Sequence, residues 1–209
     1  MRVTDIINNN LSLFDGDLKA YFRLVLKAPN AYMPYHNTRH TLHVLWEAFD
    51  GGIKSGLRGK YLRSLLVAAL FHDFNHTGTP NESENITRAI KAFKDHNNGE
   101  DKYVKELVVT CITHSKYPYE SIEHLTPKKQ LIVSVLRDSD LSQVLSPVWI
   151  QSILYGLGQE LNLSYMDMLE KQITFLNNLE FKSEWGKMKF PPLVYNKLSE
   201  VNSLIDILR

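Results

Sequence analysis

Leu62-Arg63-Ser64-Leu65-Leu66-Val67-Ala68-Ala69-Leu70-Phe71-His72-Asp73 is the stretch on which the rest of this chain turns. From Leu62 to Phe71 it is nearly all apolar, with Arg63 the clear exception. A bilayer span takes ~20 apolar residues, so this run is too short for a membrane and predicts a central buried helix. His72 and Asp73 then fall at the end of that helix. Ionisable groups in such a place are costly unless paired or metal-bound. Both are therefore candidate ligands.

His76 follows His72 by four residues, and about thirty residues upstream Tyr35-His36-Asn37-Thr38-Arg39-His40 repeats the same spacing. Residues i and i+4 share a helix face. Four of the eight histidines thus lie in two short segments. Two such faces with one more carboxylate can enclose a divalent ion.

The remaining apolar spacing is mostly helical. Ile6, Ile7, Leu11, Leu13, Phe14, Leu18, Tyr21, Phe22, Val25 and Leu26 recur at threes and fours, predicting an amphipathic helix at the start of the chain. Pro29 and Pro34 mark a loop that delivers the first histidine pair. Asn37 or Thr38 caps a helix running to about Phe49, where Gly51-Gly52 stops it. After the loop Thr77-Gly78-Thr79-Pro80, Asn81 caps a helix over about 82–95, with Glu84 in the capping-box position. His96-Asn97-Asn98-Gly99 reads as a turn. Further helices are predicted near 101–115, 127–137, 147–160, 163–180 and 191–208, with Pro127, Pro147, Pro191 and Pro192 near their starts. No strand pair stands out. The expectation is an all-α fold, one domain over residues 1–209.

The 209 residues are 44% hydrophobic and 22% charged, with net charge +1. That balance gives no global electrostatic case for a nucleic-acid or membrane partner. The one cysteine, Cys111, cannot form an intramolecular disulfide and sits in an apolar context, so a buried thiol is expected. The chain reads as intracellular and cytoplasmic. Met1-Arg2-Val3-Thr4-Asp5 opens on mixed polar residues, and no secretory signal is expected. Lys54, Arg58, Lys60 and Arg63 are expected on a solvated loop and helix face, and Tyr32 and Tyr35 in packing. His96 and His124, in polar turns, are given no catalytic role.

For chemistry, His40, His72 and Asp73 form a ligand set with one more carboxylate. Imidazole suits borderline divalent ions and carboxylate harder ones. Two histidines and two carboxylates leave room for water, which separates a catalytic site from a closed structural one. Leu136-Arg137-Asp138-Ser139-Asp140-Leu141-Ser142 offers Asp138 and Asp140, two apart and so on different helix faces. Only one reaches the ion, and the other pairs or caps elsewhere. His36, one turn before His40, stands beside the ion without binding it, where its protonated ring is a general acid. His76 is placed to orient water or phosphate. Glu84 is either a carboxylate that orients a histidine or a plain capping residue, and His43 either such an orienting group or a satisfied helix histidine. His114 is a candidate for the pocket lining.

Tyr35-His36-Asn37-Thr38-Arg39-His40 with His72-Asp73-Phe74-Asn75-His76-Thr77-Gly78-Thr79-Pro80-Asn81 resembles the HD superfamily of metal-dependent phosphohydrolases. More narrowly, it is similar to the catalytic domain of the class I cyclic-nucleotide phosphodiesterases. Ser139-Asp140-Leu141-Ser142 resembles that family's later ligand segment, which favours Asp140 over Asp138. The resemblance implies a compact helical HD-type fold and two divalent ions (Mn, Mg, Fe or Zn) on His40, His72, Asp73 and Asp140. It also implies His36 as general acid, and Gln172 and Phe175 as the groups that hold a purine. An amide bonds a base edge and an aromatic face stacks on it. Asn81, which closes the second motif, and Glu84 are the residues expected to support the histidines from behind. The chain departs from that family at His43, where aspartate is usual, and in a shortened stretch after Asn81. In this it is similar to small microbial HD phosphohydrolases, which carry stretches resembling Thr113-His114 and Asp138-Ser139-Asp140.

The function expected is hydrolysis of a cyclic nucleotide to the linear one. A metal-bridging hydroxide attacks phosphorus and His36 protonates the leaving ribose oxygen. The alternatives are a nucleoside-monophosphate or alarmone phosphohydrolase on the same ions, and a nucleotide-binding sensor without turnover. The intact His36 weighs against the sensor. The partner implied is a small nucleotide, with no polymeric nucleic acid and no membrane.

Overall fold

Leu62 to Phe71 forms the centre of the molecule: apart from Arg63, no residue of this run is more than 1% exposed. The computed structural model describes residues 2–97 and 99–209; Met1, at the head of the opening segment, and Asn98, in the predicted turn, lie outside the described residues. Among the described residues the regular structure is all helical, without strands. The helices are α1 (Val3–Ile7), α2 (Lys19–Val25), α3 (Thr38–Lys54), α4 (Gly59–Phe71), α5 (Glu82–His96), α6 (Lys102–Thr113), α7 (Pro127–Leu141), α8 (Gly158–Glu160), α9 (Tyr165–Asn177), α10 (Glu184–Lys189) and α11 (Pro191–Leu208). A tight 3₁₀ turn over Ser142–Leu145 and a wide-wound stretch over Ile150–Leu157 join α7 to α8. None of these helices is long and apolar enough to cross a membrane.

Helix α4 packs against α3, α6 and α7, which wrap it on several sides. An apolar helix needs such cover, since its stability comes from burial rather than propensity. Its one small polar residue, Ser64, returns its hydroxyl to Lys60 O at 2.7 Å. Cys111, on α6, is buried as its context required, and burial pushes its thiol up to about 12.

Several sequence expectations are corrected. The opening segment is two short helices, α1 and α2, instead of one. Asn9 adopts a left-handed φ of 52° and its amide donates to Phe14 O and to Gly16 O, so local side-chain bonds outcompete the helix. Gly51-Gly52 does not stop α3, which runs to Lys54. These glycines are contact points: a Cβ at Gly51 would lie 2.7 Å from the Trp185 ring, and one at Gly52 2.9 Å from Leu62. Arg63 is not a solvated face residue. Its Nε donates to Glu100 Oε2 at 2.9 Å and its Nη1 to Asp15 O at 2.7 Å, while Tyr21 donates to Glu100 at 2.9 Å. Tyr35 packs in the interior, but Tyr32 is 94% exposed. The segment predicted near 147–160 is mostly the wide-wound stretch, and α10 has no counterpart among the predicted helices.

Candidate functional site

The start of α3, the end of α4 and the end of α7 meet at one point. Asn37 caps α3: its Oδ1 accepts from Arg39 N (2.8 Å) and His40 N (3.2 Å). Its amide donates back to Met33 O at 2.7 Å. This leaves His36 just before the helix and His40 in its first turn. His72 and Asp73 leave the end of α4, and Asp140 sits in the last turn of α7.

His40 Nε2 lies 3.1 Å from Asp73 Oδ2 and 3.1 Å from Asp140 Oδ1. His72 Nε2 lies 3.1 Å from Asp73 Oδ2, 3.7 Å from Asp140 Oδ1 and 3.3 Å from His40 Nε2. The outward nitrogens are taken: His40 Nδ1–H donates to Gln143 Oε1 at 2.5 Å, and His72 Nδ1–H to Ala69 O at 2.9 Å. In the neutral tautomer each ring then aims its Nε2 lone pair inward, the arrangement in which imidazole binds a metal. Two lone pairs and two carboxylate oxygens this close repel one another unless a cation or protons intervene. Burial alone would push His40 down, but Asp140 and Asp73 outweigh it and lift it to about 9. His72 is likewise raised well above its ordinary value against its own burial, first by Asp73. His40, His72 and Asp140 therefore bring together ligand atoms that fit a divalent ion, with Asp73 Oδ2 3.1 Å from both imidazole Nε2 atoms.

His36 belongs to a second group. Its Nδ1–H donates to Glu160 Oε2 at 2.6 Å, and Glu160 Oε1 accepts from the backbone N–H of Tyr35 (2.6 Å) and of His36 (3.0 Å). One carboxylate thus fixes both the main chain and the ring. The His76 ring stacks on it, centroids 3.6 Å apart and planes 17° apart. His36, His76 and Glu160 also bring ligand atoms together. Imidazole lone pairs lie in the ring plane, however, so two stacked, near-parallel rings cannot both aim at one ion. Burial pushes His76 down to about 4. Its Nδ1 accepts from Gly78 N at 3.0 Å, and the Asn85 amide lies 2.9 Å from Nε2.

Both groups open on a cavity of about 550 Å³, whose lining also includes Gln172, Phe175 and Tyr117. Gln172 is 3% exposed, and its amide makes no hydrogen bond within the protein among the described residues. Phe175 and Tyr117 tilt against each other at 6.0 Å. Glu82, in the first turn of α5, also faces the cavity, its carboxylate 4.0 Å from His76 Nε2.

The structure brings together His36, His40, His72, Asp73, His76 and Asp140 and puts Gln172 and Phe175 in the lining of the same cavity. Three predicted residues lie elsewhere. His114 caps the end of α6, its ring beside His124 (5.4 Å) in a separate groove, because the chain turns there and only Ser115 and Tyr117 beyond it reach the cavity. Asn81 caps α5 by accepting from Glu84 N at 3.3 Å, and Glu84 pairs with Arg88 at 2.7 Å in solvent; neither meets a histidine. Asn85, one turn after Asn81 and buried, takes that place. Asp138 points away from the ligands and accepts from Lys182 N and Ser183 N, both at 2.8 Å. His43 Nε2–H donates to Ser142 Oγ at 2.9 Å, off the ligand cluster. Glu160, Gln143, Asn85 and Asn30 were missed, for none lies in a spaced motif. The one signal open to sequence reading was Asn85's position a turn after the predicted cap.

No family model matches this chain, and a search of curated proteins finds no match to it.

Proposed function

We propose that this protein is a metal-dependent phosphohydrolase of the HD type that opens a cyclic nucleotide to the linear one. What supports this most is the pairing of two distinct groups at one end of the cavity. One is a set of four converging ligands; the other is a carboxylate-held imidazole outside that set. A pure binder has no use for the second group.

Divalent ions on His40, His72, Asp73 and Asp140 supply an activated water and a positive clamp for the phosphoryl group. The protein's own residues do the rest. Water adds to phosphorus, the P–O ester bond breaks, and the departing ribose oxygen takes the proton of His36. Glu160 aims that ring. His76, neutral and stacked behind, holds the ring plane. Gln172 offers its unused amide to a base edge, with Phe175 and Tyr117 as apolar faces beside it. The cavity volume is within the range of small-ligand sites.

The test is a screen of the manganese-loaded protein against cyclic mononucleotides, cyclic dinucleotides, nucleoside monophosphates and alarmones. Asp73→Ala is expected to lose bound metal and turnover together, read by elemental analysis and product release. Full activity in Asp73→Ala excludes the mechanism. Stoichiometric nucleotide binding without product identifies a sensor instead.

A further inference from the structure

We infer that Asn30 is a positioning residue for proton delivery: its carboxamide ties the segment carrying His36 to the turn carrying Asp73 and sets their spacing. This rests on the phosphohydrolase function proposed above. Asn30 lies outside both histidine motifs, in the loop between α2 and α3, and is 5% exposed. Its Nδ2 donates to His36 O at 2.8 Å and to Asp73 O at 2.8 Å. Its Oδ1 accepts from Asn75 N at 2.9 Å. A carboxamide has two N–H donors. Here one goes to the main chain of the proton donor and the other to the main chain of a ligand. No other side chain among the described residues hydrogen-bonds to both segments.

The turn after α4 needs that anchor. Asn75 sits at a left-handed φ of 63°, and its own Oδ1 is buried without a partner. Polar support for Asn75 therefore comes from Asn30, across 45 residues of sequence. Glu160 decides which way the His36 ring faces. Asn30 decides how far the His36 main chain stands from Asp73. A general acid works only within hydrogen-bond reach of the oxygen it protonates, and small misplacements are expensive in rate.

Asn30→Asp is close to isosteric and keeps the acceptor for Asn75 N, but it sets a carboxylate oxygen against two carbonyls. Asn30→Ala removes all three bonds and serves if the aspartate variant does not fold by circular dichroism. Each is compared with wild type, manganese-loaded, on two esters. A cyclic nucleotide has a poor alkoxide leaving group that needs a proton. Bis(4-nitrophenyl) phosphate releases a nitrophenolate that does not. The expected kcat loss is about 10- to 100-fold on the cyclic nucleotide and less than about threefold on the nitrophenyl ester, with bound manganese per chain unchanged. Equal losses on both esters, or loss of manganese, overturn the assignment and leave Asn30 a structural residue. Wild-type protein inert on both esters removes the phosphohydrolase function itself, and the assignment with it. That failure shows before any substitution is made.

Discussion

His43 and His40 stand three residues apart on α3 and are both pushed down by burial, yet they end on opposite sides of the ordinary value. Carboxylates face His40 and lift it. Burial, reinforced by His40, pushes His43 down to about 4 from its ordinary 6.5. Between those values the unfolded chain binds a proton that the folded chain refuses, so stability falls as the pH drops through that window. His76, also held near 4, acts in the same direction. His43→Asn is therefore expected to flatten the acid limb of a stability–pH curve without abolishing it, read by urea unfolding at several pH values. An unchanged slope assigns the limb to other groups. At this scale the sequence was most legible where chemistry is spaced closely along the chain, as for His36 and His40, or His72 and His76. The shared helix face is not what joins them: His36 precedes α3, and His72 and His76 follow α4. Asn30 and Glu160 act by reaching across from other segments, and no spacing announces them. Glu84 shows the converse: of its two readings, support for a histidine or a plain capping residue, the first fails, because helix geometry turns it to Arg88 and solvent.

Helix α3 shows how a local rule loses to packing. Two adjacent glycines are good helix breakers in isolation, since each costs about 1 kcal/mol against alanine. Here they let Trp185 and Leu62 approach the α3 backbone, and the helix continues. Gly51→Ala, which improves propensity, is expected to destabilise the protein by ~1–3 kcal/mol because its Cβ overlaps the indole ring. Chemical denaturation measures this, and a stabilised variant would show that Trp185 moves freely aside. Helix α4 was legible because its apolar run exceeds any other pattern in the chain. Helix α10 was not. It spans only Glu184–Lys189, its start held by Ser183 Oγ accepting from Gly186 N at 3.0 Å and by Asp138 from α7. Asp138 is distant in sequence, and the Ser183 cap is the one local signal before a helix of only six residues.

The four candidate ligands come from three helices that share one core, with α3 and α7 both packed on α4. An ion bound there links the whole fold rather than one loop. In the proposed function, manganese is expected to raise the melting temperature with saturable dependence on concentration, and chelation to lower it again; differential scanning calorimetry reads both. A melting temperature indifferent to every divalent ion excludes the proposed centre. The all-helical architecture was readable from periodicity, whereas assembly of the cavity was not, since Glu160 joins His36 from 124 residues away. That distance divides the chain unequally between two tasks. The ligand cluster is complete by Asp140. From Leu141 to Asn178 the chain supplies much of the cavity lining, including Gln172 and Phe175, but no member of that cluster. Sequence change downstream of Asp140 can therefore reshape what the cavity admits while the four ligands keep their spacing and charge. Gln143 and Glu160 are the exceptions: they lie in the permissive stretch yet hold His40 and His36 of the upstream half, and they are the positions there where drift is least tolerable.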